Sequence, residues 1–165
     1  MLLGHRRETA LRHRRDTQVC RRRGARAGKL CRLADRDALA ALVQELDAAW
    51  NARDAVRFSA VFAEDGSFQF PVEGLALRGR EDIGRHYAQQ FASLPPELRH
   101  VTTTRESDVI GPGLVAVDFE VEILGTDPNT GAAQTPIAHY RGLGIGVHSD
   151  SGWHIRVARV YSVPK

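Results

Sequence analysis

The chain has 165 residues, 42% of them hydrophobic, and a length near 150 residues suits a single domain with a sizeable core. Its formal net charge of +3 is unevenly distributed, because residues 1–34 carry eleven Lys or Arg and two acids whereas residues 35–165 carry twelve and eighteen. The charge therefore does not indicate a nucleic-acid-binding domain, and the lack of an 18-residue apolar stretch excludes a membrane-spanning helix.

Residues 1–34 are predicted to form a disordered basic extension. The segment has few large apolar residues and a strong single-sign charge, so it cannot bury enough surface to offset its ordering entropy. Cys20 and Cys31 match no zinc or redox spacing, and the early arginines are not followed by the apolar run of a secretion signal. We expect a cytoplasmic protein in which this segment is either dispensable or a basic arm, with nucleic-acid binding confined to the tail.

An ordered domain is expected over residues 35–165, beginning with a helix capped by Asp35 or Asp37. Its apolar stripe ends at Trp50 and leaves Asp47 on the outer face. Asp54 can cap a second, short helix. After two short strand patterns, SFQFPV and LALRG, a third helix is predicted in REDIGRHYAQQFASLPP, where acids occupy the first turn and two prolines end it.

The hydrophobic period then changes from 3.6 to 2, which predicts four strands. They cover approximately residues 98–110, 113–124, 136–148 and 152–163. Short loops rich in Gly, Pro, Asp and Asn separate them, so the strands form an antiparallel meander. The predicted fold class is α+β, with three N-terminal helices packed on a strongly curved, mostly antiparallel sheet around an apolar pocket.

Alternation along the second of these strands places its valines inward, and Asp118, Glu120 and Glu122 toward solvent or a dimer contact. In the third strand, His139 and Arg141 share a face with the aliphatic residues. They are therefore expected inside the pocket unless a bulge shifts the register.

The fourth strand places Arg159 and Tyr161 on the apolar face in the same way. With His139 they are the candidate catalytic residues, in which His139 exchanges a proton and the other two stabilise negative charge on a ligand oxygen. The alternative is structural, because each polar group could instead be satisfied by a local partner. The predicted ligand-binding residues are Trp50, Phe58, Phe70, Tyr87 and Arg141.

Several motifs of other chemistries are missing. The sequence has no phosphate-binding loop, dinucleotide fingerprint or nucleophile elbow, so no cofactor is predicted. The histidine spacing does not predict a metal site, although His100 and His139 could meet across strands.

The motifs NARD, FAEDGSF and LRGREDI, followed by strands ending in WHIRVARVYSVP, resemble the nuclear-transport-factor-2-like superfamily, in particular its SnoaL-like and SgcJ/EcaC branches. The resemblance covers about 130 residues and implies a cone-shaped α+β barrel that forms a homodimer through the sheet. The same cone hosts isomerases, dehydratases, cyclases, epoxide hydrolases and non-catalytic assembly domains. Some members of the branch are labelled oxidoreductases, which no cofactor motif here supports.

The functional residues of the ketosteroid isomerases do not carry over. Their oxyanion-hole tyrosine and general-base aspartate fall on Leu46 and Phe70, and their oxyanion-hole acid falls on Ala138. The resemblance therefore implies a different acid–base chemistry of cyclase, isomerase or dehydratase type on an apolar, carbonyl-bearing metabolite of secondary metabolism. The alternative is a non-catalytic ligand-binding or dimerisation module of the same fold.

Overall fold

The computed structural model describes the backbone of residues 25–163 and the side chains of residues 37–163. The chain divides into two compact units, the first ending at Ala38 and the second beginning at Leu39. The helices are α1 (Ala25–Asn51), α2 (Ala55–Ala60) and α3 (Arg80–Ser93), with a short 3₁₀ turn at Pro71–Glu73. The strands are β1 (Phe62–Phe70), β2 (Leu75–Arg78), β3 (Arg99–Gly111), β4 (Leu114–Gly125), β5 (Thr135–Ser149) and β6 (Gly152–Ser162).

Helix α1 begins earlier than the sequence predicted. Its first residue is Ala25, so residues 25–34 are helical and neither Asp35 nor Asp37 is the N-cap. Ala, Leu, Arg and Lys in this stretch are strong helix formers, and their propensity favours a helix in spite of their charge. The predicted disorder of residues 1–24 lies outside the described residues. No helix in the described part of the chain is long and apolar enough to cross a membrane.

The turn after α1 ties this helix to the start of β3. Arg53 adopts a left-handed conformation with φ of 58°. Its guanidinium lies 4.4 Å from the centre of the Trp50 ring and donates to the carbonyls of Pro95 and Leu98, each at 2.9 Å. As predicted, Asp54 caps α2, accepting from the backbone N–H of Arg57 at 2.9 Å.

The six strands form one sheet in the order β2-β1-β6-β5-β4-β3. Strands β3 to β6 form the predicted antiparallel meander. The sheet is mixed, because β1 pairs parallel to β6 and antiparallel to β2. Strand β1 begins at Phe62, before the predicted SFQFPV pattern, and its pairing with β6 is irregular between Phe62 and Ser67.

The concave side of the sheet and the helices share one large apolar core. Its buried members include Trp50, Phe58, Phe62, Ile83 and Phe91, each at most 8% exposed. Burying side chains of this size stabilises the fold by about 1.5–3 kcal/mol each. The core is incomplete at one end, where its aromatic residues surround an open cavity.

Candidate functional site

A cavity of about 450 Å³ lies between the helices and the concave face of the sheet. This volume is in the range of small-molecule sites, which are apolar with a few placed polar groups. Apolar side chains make up most of its wall: Leu39, Leu42, Val43, Leu46, Trp50, Phe58, Phe62, Phe68, Phe70, Leu75, Leu94, Leu98, Val117, Phe119, Val121, Ile123, Ile137, Ala138, Ile145, Ile155, Ala158 and Val160. Its polar side chains are Glu73, His86, Tyr87, Gln90, His100, Thr102 and Tyr140.

Four of the five predicted ligand-binding residues lie in this wall, namely Trp50, Phe58, Phe70 and Tyr87. The Phe58 and Tyr87 rings pack with their centroids 4.0 Å apart. Phe70 meets Tyr140 edge to face at 5.1 Å. The helical periodicity and the FP strand end were therefore sufficient to identify the aromatic side of the pocket.

In β5 the residues predicted to face the cavity lie on the outer face of the sheet, and their neighbours face the cavity. The register pairs Tyr140 with Val121 and Gly142 with Phe119, so these residues face the cavity. His139 and Arg141 lie on the other face of the sheet. The prediction that they line the pocket is wrong.

Glycines explain this error. The inward positions of β5 include Gly142 and Gly144, which add nothing to a hydrophobic pattern. A Cβ at Gly142 would lie 2.2 Å from Cζ of Phe119, so the aromatic ring occupies the space that a side chain would need. Leu143 is then the most hydrophobic residue of this stretch, although it lies on the outer face and is 40% exposed. It made the outer face look like the inner one in the sequence pattern.

Strand β6 changes face at a bulge. Ile145 pairs with Val157 and Gly146 with Ile155, which leaves Arg156 as the extra residue. Ile155 faces the cavity before the bulge, and Ala158 takes that face after it.

The remaining two predicted catalytic residues therefore do not line the cavity. Arg159 donates to Oγ of Ser67 at 3.3 Å and to the carbonyl of Ala158 at 3.0 Å. Tyr161 is 47% exposed. The structure thus does not bring His139, Arg159 and Tyr161 together at the pocket.

The outer face holds a cluster around Glu120, whose side chain is buried although it points away from the cavity. Arg105 pairs with one of its carboxylate oxygens, His139 lies 3.4 Å from that oxygen, and Arg141 donates to the other at 3.1 Å. The hydrogen bond from Arg105 is the main reason that the pKa of Glu120 lies below its usual range. His139 and Arg141 are therefore satisfied by a local carboxylate.

A second histidine, which the sequence reasoning did not select, lies at the cavity. Nδ1 of His100, on β3, is 2.7 Å from Oδ1 of Asp47, on α1. The same carboxylate accepts from the backbone N–H of Thr102 at 2.8 Å and from its hydroxyl at 2.7 Å. Both His100 and Thr102 line the cavity, whereas Asp47 does not. The Asp47 side chain contacts β3 and is only 20% exposed, so the prediction that it faces outward is wrong.

The backbone of His100 is also hydrogen-bonded to α1. The Asn51 side chain accepts from the His100 N–H at 2.8 Å and donates to its carbonyl at 2.9 Å. The imidazole packs against Trp50 with the ring centres 5.1 Å apart. With Nδ1 occupied by Asp47, Nε2 is the ring nitrogen left for a ligand. A carboxylate at Nδ1 favours the tautomer in which Nε2 accepts a proton.

Two of the polar residues in the wall are tyrosines, Tyr87 and Tyr140. Burial raises the pKa of Tyr87 and of Tyr140, and the Glu73 carboxylate raises both further. Their hydroxyls therefore stay protonated and can donate hydrogen bonds. Among residues 37–163, no group of three or more His, Cys, Asp or Glu is placed to hold a metal ion.

Comparison with known proteins agrees with this fold. A SnoaL-like domain model matches residues 43–163. An uncharacterised protein with a cystatin-like fold from Caulobacter vibrioides is 26% identical, with 79% of this chain and 91% of that chain covered and a TM-score of 0.66. An NTF2-like protein from Novosphingobium aromaticivorans is 16% identical, with coverages of 83% and 87% and a TM-score of 0.70.

A ketosteroid isomerase-like protein from Erwinia carotovora atroseptica is 20% identical, with 76% of this chain and 93% of that chain covered and a TM-score of 0.59. No curated protein matches the chain. The solved structures identify the cystatin-like, NTF2-like fold. Because the family model spans most of the described residues, the chain belongs to the family of SnoaL-like domains.

Proposed function

We propose that the protein is a cofactor-independent acid–base catalyst of SnoaL-like type, of the cyclase, isomerase or dehydratase class, acting on a small apolar metabolite. The observation that carries the proposal is His100 in the wall of an apolar cavity, with the Asp47 carboxylate 2.7 Å behind it. A histidine oriented by a carboxylate is a common general base, and an apolar wall excludes water that would compete for the proton.

Each residue of the pair has a distinct role. Nε2 of His100 takes a proton from a substrate carbon next to a carbonyl, which leaves an enolate. Asp47 holds the neutral tautomer and stabilises the imidazolium that forms. Return of the proton to another carbon completes an isomerisation, whereas loss of a hydroxyl as water completes a dehydration.

Tyr140 is the proposed donor to the enolate oxygen. It lies on the cross-strand row of Thr102 and Val121, with one strand between it and β3. The backbones of β3 and β5 are therefore about 10 Å apart, so the side chains of His100 and Tyr140 must converge on one carbonyl group and its neighbouring carbon. A protonated tyrosine in an apolar wall stabilises developing negative charge more strongly than water does.

The alternative is a non-catalytic pocket module, and one observation favours it. Leu46, Phe70 and Ala138, the positions matched to the isomerase functional groups, all line the cavity and are apolar. At the places where the resemblance puts the isomerase groups, the cavity therefore has apolar side chains. The SgcJ/EcaC-like branch, a cytoplasmic role in secondary metabolism and a homodimer through the outer sheet face are also proposals.

Proton abstraction from a generic substrate tests the two functions. We would measure the Kemp elimination of 5-nitrobenzisoxazole, in which a base removes the C3 proton while the N–O bond breaks and a coloured phenolate forms. A general base contributes about 100-fold or more to such a rate, and His100→Gln should lose that contribution. His139→Gln, a matched change on the outer face, should keep it.

Equal rates for the wild type and His100→Gln would refute the role of His100. Saturable binding of the substrate without any rate above buffer in either protein would favour the non-catalytic module.

A further inference from the structure

We propose that the Glu73 end of the cavity binds an ammonium group, so that the substrate is an apolar molecule with an amine beside its aromatic or polycyclic body. The inference deepens the proposed function by naming a substrate class, and it uses the same cavity. It does not depend on His100.

The backbone of Glu73 is fixed by a tight turn. The segment Pro71–Glu73 is a 3₁₀ turn, closed by the Gly74 N–H, which donates to the Pro71 carbonyl at 3.0 Å. Gly74 has φ of 66°, a conformation that glycine adopts without strain. The turn follows β1 directly, so Glu73 stands next to the aromatic wall at Phe70 and lines the cavity while remaining exposed.

Three aromatic residues line the same cavity as this carboxylate, namely Phe70, Tyr87 and Tyr140. Phe70 and Tyr140 meet edge to face at 5.1 Å. The Glu73 carboxylate also contributes to raising the pKa of both tyrosines, in addition to their burial. A carboxylate among aromatic faces is the arrangement that recognises ammonium groups, because ring quadrupoles and the negative charge attract the same cation.

The charge balance of the wall points the same way. Of the described residues that line the cavity, none is Lys or Arg, and Glu73 is the one carboxylate. No basic side chain of residues 37–163 pairs with it. An anionic ligand would therefore meet a like charge at this end of the cavity, whereas an ammonium group brings the missing counter-charge.

Three probes of one shape and different charge test the inference. They are 1-naphthylmethylamine, which is a cation at pH 7.5, 1-naphthylmethanol, which is neutral, and 1-naphthoate, which is an anion. Isothermal titration calorimetry at low salt should show the amine binding about tenfold more tightly than the alcohol. The naphthoate should bind most weakly of the three.

Glu73→Gln should bring the amine and the alcohol to within about twofold of each other, since only the cation–ring attraction is left. Glu81→Gln is the matched control, because it removes the same charge from a side chain on α3 that is 91% exposed; it should keep the preference. An alcohol that binds the wild type as tightly as the amine, or a preference that survives Glu73→Gln, would overturn the inference. Because these are binding measurements, they are independent of whether His100→Gln abolishes catalysis.

Discussion

Replacement of Asp47 by asparagine separates the chemical role of this carboxylate from its structural role. Asn keeps the size of the side chain and keeps one oxygen that can accept from the Thr102 N–H, now 2.8 Å from the carboxylate. The amide NH₂ then faces Nδ1 of His100, which must become an acceptor. The proton moves to Nε2, and the base becomes a donor at the atom that meets the substrate.

The two roles predict effects of different size. Loss of the base should lower the Kemp elimination rate about 100-fold, as for His100→Gln. The stability cost should stay near 1 kcal/mol, because the Thr102 N–H keeps its acceptor, and the Thr102 hydroxyl, which loses its acceptor at Oδ1, can accept from the new amide NH₂. For a domain of this size that corresponds to a fall in Tm of roughly 3–5 °C.

Asp47→Ala is the comparison that exposes the structural cost. It leaves the Thr102 N–H and hydroxyl without their acceptor in a site where the Asp47 side chain is only 20% exposed. The free energy of unfolding should be about 1–3 kcal/mol lower than that of the wild type. Rates are measured with 5-nitrobenzisoxazole and stability by thermal unfolding of the same preparations. An Asp47→Asn protein with its rate within about twofold of the wild type would refute the tautomer argument.

Three further outcomes are expected. Gly142→Ala should lower the free energy of unfolding by about 1–3 kcal/mol, because its Cβ would overlap the Phe119 ring; Gly144→Ala, whose nearest contact would be an ordinary 3.6 Å, should change it little. The pKa of Glu120 is lowered from 4.5 in the folded protein. The ionised Glu120 therefore contributes to the free energy of unfolding above pH 4.5, and this contribution is lost as the pH falls through its pKa in the folded state. Thermal unfolding from pH 7 to 3 should show this loss, and Arg105→Gln should reduce it. A cavity ligand at about 100 times its Kd should add about 2.7 kcal/mol of stability and raise Tm by several degrees, and a flat response across an apolar carbonyl series would contradict the proposed substrate.

The chain order of elements was predictable because it depends on local pattern. The four long strands lie within one residue of their predicted bounds at every end, since alternation and turn residues mark strand edges directly. The parallel pairing of β1 with β6 was not predicted, because it joins strands far apart in the chain. The early start of α1 was not predicted either, because the single-sign charge of that stretch masks its helix propensity.

The faces of the strands were harder to predict than their bounds. In β4 every second residue is apolar, and the prediction that these residues face inward is confirmed. Glu120 lies on the outer face as predicted, but it is buried there among ion-pair partners rather than exposed to solvent. In β5 the inward side is made partly of glycine, which lets the Phe119 ring lie against the strand. The bulge at Arg156 then reverses β6 halfway along. A period of two describes a strand only where each inward position holds a side chain and no residue is inserted.

His139 and His100 each pair with a carboxylate, and only the face of the sheet on which they lie separates them. His139 meets Glu120 on the outer face, while His100 meets Asp47 at the cavity. Asp47 lies one turn of α1 before Trp50, at the edge of the apolar stripe of that helix, and from there it reaches His100. The signal for the site was therefore present as an acid beside the apolar stripe, but its partner on β3 could be identified only once the helix and the sheet were packed together.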